Sequence, residues 1–142
     1  MAAVEAVWCG ARGDPAVECS CSPQRLASYR EKLSRALLDR FDLVVVVPRA
    51  RSRELGAPGE PSSRVRKRVQ AAAAVERPQL TKEANELLDR AVDTLPLSAR
   101  GRTKVGRVAT TIAALAGAVM VAPEHVAEAL SYRSPTELAA WS

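Results

Sequence analysis

The pattern of apolar and polar positions predicts a mostly helical chain. Between residues 61 and 142, apolar residues recur every three or four positions in four stretches, which is the spacing of amphipathic helices that share one core. The first two helices are predicted over about residues 63–77 and 81–95, and a proline follows the end of each. The third begins after Ser98, a candidate N-cap, and the fourth begins at Pro123. We therefore expect a four-helix bundle.

The third helix has the most regular pattern and should contribute most of the core. Its apolar residues alternate steps of three and four and predict a single buried stripe, made of Val105, Val108, Ile112, Leu115 and Val119. The other three helices are expected to add Val65, Val69, Leu87, Leu88, Leu95 and Leu130 to this core.

A helix followed by a strand is predicted before the bundle. Ser22 and Pro23 form a start signal, and apolar residues at helical spacing follow as far as Leu37. The apolar run 43–47 predicts a strand that is covered on both faces, as in a parallel sheet. Arg40 lies between the two elements. It is either a surface residue that satisfies the last helical carbonyl groups or a cation presented to an anionic ligand.

Positive charge is concentrated in one part of the chain. The net charge is +5, and residues 49–77 hold eight basic residues against three acidic ones. The candidate nucleic-acid patch within this segment consists of Arg64, Arg66, Lys67 and Arg68. Such a cluster attracts phosphates, but no aromatic residue is interleaved for base stacking, so a solvated helix face is the alternative.

The cysteines suggest a metal site only weakly. Cys9, Cys19 and Cys21 could converge on a zinc ion if the loop between them folds back, but three sulfurs fall short of the usual four ligands. The one histidine, His125, belongs to a different predicted helix, and reduced thiols are the alternative. No apolar run is long enough for a membrane span and the N-terminus has no signal-peptide pattern, so we expect a cytoplasmic location and no membrane partner.

Several motifs, in order along the chain, resemble the C-terminal portion of magnesium-chelatase-like AAA+ ATPases of the ComM/YifB type. The motifs are Cys9-Gly10, Cys19-Ser20-Cys21-Ser22, Leu37-Leu38-Asp39-Arg40, Leu97-Ser98-Ala99-Arg100, Thr111-Ile112-Ala113-Ala114-Leu115, and the closing run from His125 to Arg133. Together they cover roughly residues 9 to 133 and make the match specific.

The resemblance implies both an architecture and a set of site residues. Residues 1–60 would be the remnant of an AAA+ core, a helix plus a strand, and residues 61–142 would be a four-helix lid, so the fold class is mainly α. Arg40 would be an arginine finger that acts on a neighbouring subunit, and Arg100 would be the sensor-2 arginine that touches the γ-phosphate. The intact family uses ATP and magnesium, forms rings of homologous subunits, and is linked to DNA processing.

The sequence also departs from the family pattern. The 142 residues contain neither a GxxxxGK[ST] phosphate loop nor an apolar strand that ends in Asp-Glu, and Arg35-Ala36 replaces the family's Gly-Pro pair. The asparagine of the first nucleotide sensor is also missing. We therefore expect a C-terminal fragment that binds no cofactor by itself, is not an ATPase alone, and completes the site of a neighbouring subunit. The alternative is a stand-alone helical adaptor that binds nucleic acid or a partner protein through its basic face.

Overall fold

The computed structural model describes residues 16–31, 40–45, 47, 50, 52, 55–56, 58–95 and 97–133. The described part of the chain is mainly helical, as predicted, and four of its helices follow residue 60. In chain order the elements are α1 (Pro23–Glu31), α2 (Ser62–Ala74), β1 (Gln79–Leu80), α3 (Lys82–Thr94), α4 (Ala99–Leu115), β2 (Met120–Val121) and α5 (Pro123–Ser131).

Polar side chains fix the starts of three of these helices. The Ser98 hydroxyl accepts a hydrogen bond from the Gly101 amide at 3.0 Å, which confirms Ser98 as the N-cap of α4. Thr81 caps α3 in the same way. At α5, His125 reaches back one turn, and its Nδ1 accepts from the Ala122 amide at 2.9 Å. The predicted helix starts are therefore correct to within one residue at all three positions.

A short parallel sheet joins the segment before α3 to the segment before α5. Gln79 pairs with Met120 and Leu80 with Val121, and each strand leads directly into the next helix. No sequence pattern predicts these strands, because two residues are too few to show an alternation.

The core consists mainly of small side chains. Leu88 and Val105 are buried as predicted, but the buried face of α4 is rotated from the predicted stripe toward Ala109 and Ala113. The buried positions of α4 are Gly101, Val105, Ala109 and Ala113, each four residues after the last. Val108 and Ile112 pack at the edge of this core. Three predicted core residues, Val69, Leu95 and Leu115, are instead exposed, and so is Val119 at the end of the predicted stripe.

The physical reason for this difference is the close approach of neighbouring helices. A row of glycine and alanine lets two helix backbones come together, and larger apolar side chains then lie beside the contact line rather than on it. The fully buried residues are Ala84, Leu88, Val105, Ala109, Ala113, Val121, Val126 and Ala129.

The buried strand predicted at residues 43–47 is not formed by the described residues of that run. Residues 43–45 and 47 have irregular backbone, and Val45 and Val47 are 64% and 85% exposed. A strand needs neighbouring strands to accept its backbone hydrogen bonds. Among the described residues of the run, the Val44 amide donates to the Tyr132 carbonyl at 2.9 Å. The described residues of the run are therefore joined to the end of α5 through Val44 and are not part of a sheet.

Candidate functional site

The candidate site is centred on the Arg40 loop, which we define as residues 40–45. The Arg40 side chain is exposed. Within the described part of the chain, its guanidinium forms no ion pair, and the nearby Asp42 carboxylate is paired with Lys104 at 3.2 Å. The first part of the helix predicted from Pro23 is observed as α1, whereas its remainder from residue 32 onward, and Asp39, lie outside the described residues. Arg40 is thus a surface cation on a loop whose neighbouring carboxylate is already engaged elsewhere.

Lys104, in the second turn of α4, holds the first part of the loop. Its ammonium group donates a hydrogen bond to the Arg40 carbonyl and forms the ion pair with Asp42. The Lys104 side chain is only 12% exposed, and the Arg40 carbonyl and the Asp42 carboxylate are its two oxygen partners. The loop therefore covers most of Lys104, and the lysine binds the loop on both sides of Phe41, through the main chain of Arg40 and the side chain of Asp42.

The end of α5 holds the second part of the loop. The Arg133 guanidinium donates to the Phe41 carbonyl, and the Val44 amide donates to the Tyr132 carbonyl. Arg133 also lies against the start of α4, because a methyl group placed on Gly101 would be 3.6 Å from its Nη2. Arg133 consequently links three elements: the Arg40 loop, the end of α5 and the first turn of α4.

Arg100 lies on the same face of α4 as Lys104. The two residues are four positions apart, so their side chains stand one above the other along the helix. Arg100 is exposed in the first turn, close to the N-cap Ser98. The exposed Arg100 is therefore one helical turn from Lys104, the residue that binds the main chain of Arg40. The dipole of α4 favours an anion in the first turn, where Arg100 lies.

The chemistry of Arg40 and Arg100 suits phosphate oxygens. A guanidinium presents several N–H donors in a planar fork that matches two oxygens at once. Both arginines are carried by backbone that is held in place, Arg100 by the capped helix and Arg40 by the contacts to Lys104, Tyr132 and Arg133. A preorganised cation loses less entropy on binding than one on a free loop.

The predicted basic patch lies on α2, a helix none of whose residues is buried. Arg64, Arg66 and Lys67 are exposed. Arg68 is different, because its two terminal nitrogens bind both carboxylate oxygens of Glu60 at 3.1 and 3.3 Å. That contact neutralises one cation of the patch, so three of the four predicted residues remain available to an external anion.

The cysteine hypothesis gains no support among the described residues. Cys19 and Cys21 are half-buried, and Cys9 lies outside the described residues. In the described part of the chain no group of three or more potential metal ligands comes together.

His125, the other candidate ligand, acts as the cap of α5. In addition, none of the described helices combines the length and the hydropathy that crossing a bilayer requires.

Sequence reasoning proposed Arg40 and Arg100 as site residues but did not point to the residues that hold the loop. Tyr132 and Arg133 belong to the closing motif of the family pattern, and no role follows from the motif alone. Lys104 carries no motif signal at all. The one sequence feature that could have pointed to Lys104 is Asp42, because its carboxylate next to the candidate arginine calls for a cationic partner.

Comparison with known proteins identifies the family to which the chain belongs. A family model described as "Magnesium chelatase, subunit ChlI" matches residues 1–55, and one described as "Magnesium chelatase, subunit ChlI C-terminal" matches residues 76–133. The chain therefore belongs to the magnesium-chelatase-like family, and within that family it is of the ComM/YifB type.

Three relatives show the extent of the similarity. "Competence protein ComM" of Haemophilus influenzae is 31% identical over 82% of this chain and 27% of its own length. "Uncharacterized protein YifB" of Escherichia coli is 31% identical over 80% of this chain and 27% of its own length. "Uncharacterized protein Rv2897c" of Mycobacterium tuberculosis is 36% identical over 82% and 28%, respectively. The chain thus spans little more than a quarter of the curated relatives it matches.

Proposed function

We propose that the chain supplies an arginine finger and a phosphate-contacting arginine to an ATPase site whose nucleotide is held by a neighbouring subunit. Arg40 is the finger and Arg100 is the sensor-2 residue. In phosphoryl transfer, a finger offsets the charge on the transferring γ-phosphoryl group and raises the rate by about 10³ to 10⁵. ATP and magnesium are bound by the neighbour's phosphate loop and are not cofactors of the isolated chain.

The observation that carries this proposal is the setting of Arg40. Its guanidinium is exposed while its backbone is fixed to α4 through Lys104, on the face that also bears Arg100. A purely structural arginine would be paired within the fold, whereas the carboxylate closest along the described sequence, Asp42, pairs with Lys104 instead. Membership of the magnesium-chelatase-like family, for which the sequence resemblance implies ATP hydrolysis, supports a phosphate group as the ligand.

The proposal extends to the domains and the assembly. Residues 1–60 act as the core segment and residues 61–142 as the helical lid, a division supported by the separate matches at 1–55 and 76–133. The partners are homologous subunits of a cytoplasmic ring. The proposed role of the assembly is in DNA processing, which the sequence resemblance implies for the family.

The test is a mixed assembly in which only this chain can supply the finger. The partner subunit carries a phosphate loop, and the arginine at its own finger position is replaced by alanine. Arg40→Ala in this chain should then lower ATP turnover by roughly 10³-fold and leave nucleotide binding unchanged. The matched control is Arg90→Ala, which removes an exposed arginine of α3 and should leave turnover unchanged. Equal turnover for Arg40→Ala and the control would refute the finger role.

A second function, binding of nucleic acid through α2, is favoured by one observation. That helix exposes Arg64, Arg66 and Lys67 and buries no residue, so these cations can reach a phosphate backbone without unfolding anything. Fluorescence anisotropy with a duplex oligonucleotide should show affinity that falls steeply with salt, and the Arg64→Ala, Lys67→Ala double variant should lower the salt slope by about 2. Lys82→Ala on α3 is the control. An unchanged slope would leave α2 as a solvated face.

A further inference from the structure

Lys104 and Arg133 lie outside both proposed functions, yet each connects the Arg40 loop to the helical domain. Lys104 belongs to α4, and Arg133 follows the last residue of α5. Both side chains donate to backbone carbonyl groups of the loop, on consecutive residues, Arg40 and Phe41. Two cations, one on α4 and one just after α5, therefore bind one short stretch of main chain.

Partial burial of the charged donor strengthens the contacts between Lys104 and the loop. The side chain of Lys104 is 12% exposed, so its charge is shielded from most solvent and relies on the Arg40 carbonyl and the Asp42 carboxylate. Hydrogen bonds with a charged donor are about twice as strong as neutral ones, and partial burial strengthens them further. Removing Lys104 would leave the loop with two anchors, both at the end of α5.

Lys104 and Arg133 bind backbone carbonyl groups of the loop, so they position its main chain and leave the Arg40 side chain unoccupied. A contact to the Arg40 carbonyl fixes the position of the Arg40 main chain without occupying its guanidinium. The Val44 amide, bound to the Tyr132 carbonyl, fixes the other end of the loop. The side chain of Arg40 is therefore carried by main chain that is bound to α4 and to the end of α5.

We propose that Lys104 and Arg133 are positioning residues that lock the Arg40 loop to α4, so that Arg40 and Arg100 move as one unit when the helical domain moves. This inference rests on the proposed function for its catalytic consequence, but the lock itself can be measured without any ATPase. A movement of the lid in one subunit would then advance or withdraw both arginines from the neighbour's phosphates together.

The first measurement is amide hydrogen exchange of Val44 in the complete 142-residue chain. Lys104→Met keeps the aliphatic stem and removes the cation, and should accelerate exchange at Val44 by about tenfold, because loss of one charge-assisted anchor favours the open loop. Amides of the α4 interior, such as that of Ala109, should be unaffected. Lys82→Met is the matched control, since the Lys82 side chain is 85% exposed and lies on α3.

Two further variants keep the test decisive if Lys104→Met disturbs the fold. Asp42→Asn changes a half-exposed side chain and weakens only the ion pair, so a smaller acceleration at Val44 is expected. Arg133→Met removes the anchor at Phe41 and should act like Lys104→Met. If Val44 exchanges at the wild-type rate in both Asp42→Asn and Arg133→Met, the lock does not exist.

The second measurement is ATP turnover in the mixed assembly. Lys104→Met should lower kcat by about tenfold and leave KM for ATP unchanged, because the nucleotide is held by the partner and only the aim of Arg40 is disturbed. The positioning role is overturned if Arg40→Ala abolishes turnover while Lys104→Met accelerates amide exchange at Val44 without lowering kcat. If Arg40→Ala itself has no effect, the proposed function fails, and accelerated exchange at Val44 then supports the lock as a structural feature alone.

Discussion

Gly117 is the residue whose backbone conformation determines how α4 ends. Its φ is +70°, a left-handed conformation that disfavours any side chain. The Gly117 amide donates to the Ala114 carbonyl and the Ala118 amide to the Ala113 carbonyl, at 3.1 and 2.9 Å. This pair of bonds is the Schellman arrangement, and it satisfies carbonyl groups that the helix end would otherwise leave unpaired. The turn then directs the chain into β2.

Replacing this glycine should destabilise the protein through its backbone alone. A methyl group on Gly117 would meet no atom within 4 Å, so no steric clash contributes. We expect Gly117→Ala to lower the free energy of unfolding by about 1 kcal/mol, measured by urea denaturation. Gly59→Ala is the control, since Gly59 also has open space around it but no left-handed φ. Equal stability of the two variants would contradict the role of Gly117.

At the scale of the elements, α4 shows which part of the fold the sequence could predict. Helix boundaries followed from chemical signals, because Ser98, Thr81 and Pro123 mark starts whatever the tertiary structure. The buried face did not follow, because hydrophobic patterns give most weight to large residues. The actual contact row is Gly101, Val105, Ala109 and Ala113, in which three of four residues are glycine or alanine.

Reliance on large apolar residues also explains why a strand was wrongly predicted at residues 43–47. Five apolar residues in a row are typical of a buried strand, but a strand exists only where neighbouring strands accept its hydrogen bonds. The described residues of that run contact the end of α5 through Val44 instead. The local sequence thus shows that the segment is apolar, but its conformation depends on which backbone groups are available to accept its hydrogen bonds.

The contact row of α4 makes a prediction about packing density. Ala109 is fully buried, so Ala109→Leu adds volume where helices approach closely and should lower the free energy of unfolding by about 1–3 kcal/mol. Thr111→Leu places the same side chain on the exposed face of α4 and should change it by less than about 0.5 kcal/mol. Thermal or urea denaturation followed by circular dichroism distinguishes the two.

An acidic substitution tests the assignment of the face more severely. Ile112 was expected at the centre of the core, but it is only half-buried, so a carboxylate there can turn toward solvent. Ala109→Asp would place the charge among fully buried neighbours, where an unpaired carboxylate costs several kcal/mol. We therefore expect Ala109→Asp to unfold residues 62–133 and Ile112→Asp to leave them folded but less stable. The reverse order of stability would restore the predicted stripe.

At the scale of the whole molecule, the candidate site is formed by parts of the chain that are far apart in sequence. Arg40 and Arg100 were recognisable from motifs, because each motif is local. The contacts that join them, Lys104 to the Arg40 carbonyl and Arg133 to the Phe41 carbonyl, span 64 and 92 residues. They involve backbone acceptors, which every residue possesses, and sequence patterns therefore carry no record of them.

The 142 residues include two arginines that we propose contact a phosphate, but they contain no phosphate-loop motif. This combination determines how the isolated chain should behave toward ATP. Tight nucleotide binding in phosphate-loop ATPases depends on backbone amides that converge on the β- and γ-phosphates, with magnesium held by an acidic residue. The 142 residues contain neither motif, and two exposed arginines on separate elements leave the nucleotide base, the ribose and the metal without partners. We therefore expect the purified chain to hydrolyse no ATP and to show no micromolar affinity for Mg-ATP in isothermal titration calorimetry.

Weak binding of an anion is still compatible with this view and provides the control. Inorganic pyrophosphate should bind about as weakly as ATP, at millimolar concentration, because both would contact only the arginines, and the Arg40→Ala, Arg100→Ala double variant should abolish both signals. Micromolar affinity for ATP that survives the double variant would reveal a nucleotide site elsewhere in the chain. The chain would then be a nucleotide-binding subunit in its own right, and Arg40 and Arg100 would lose their assigned partner.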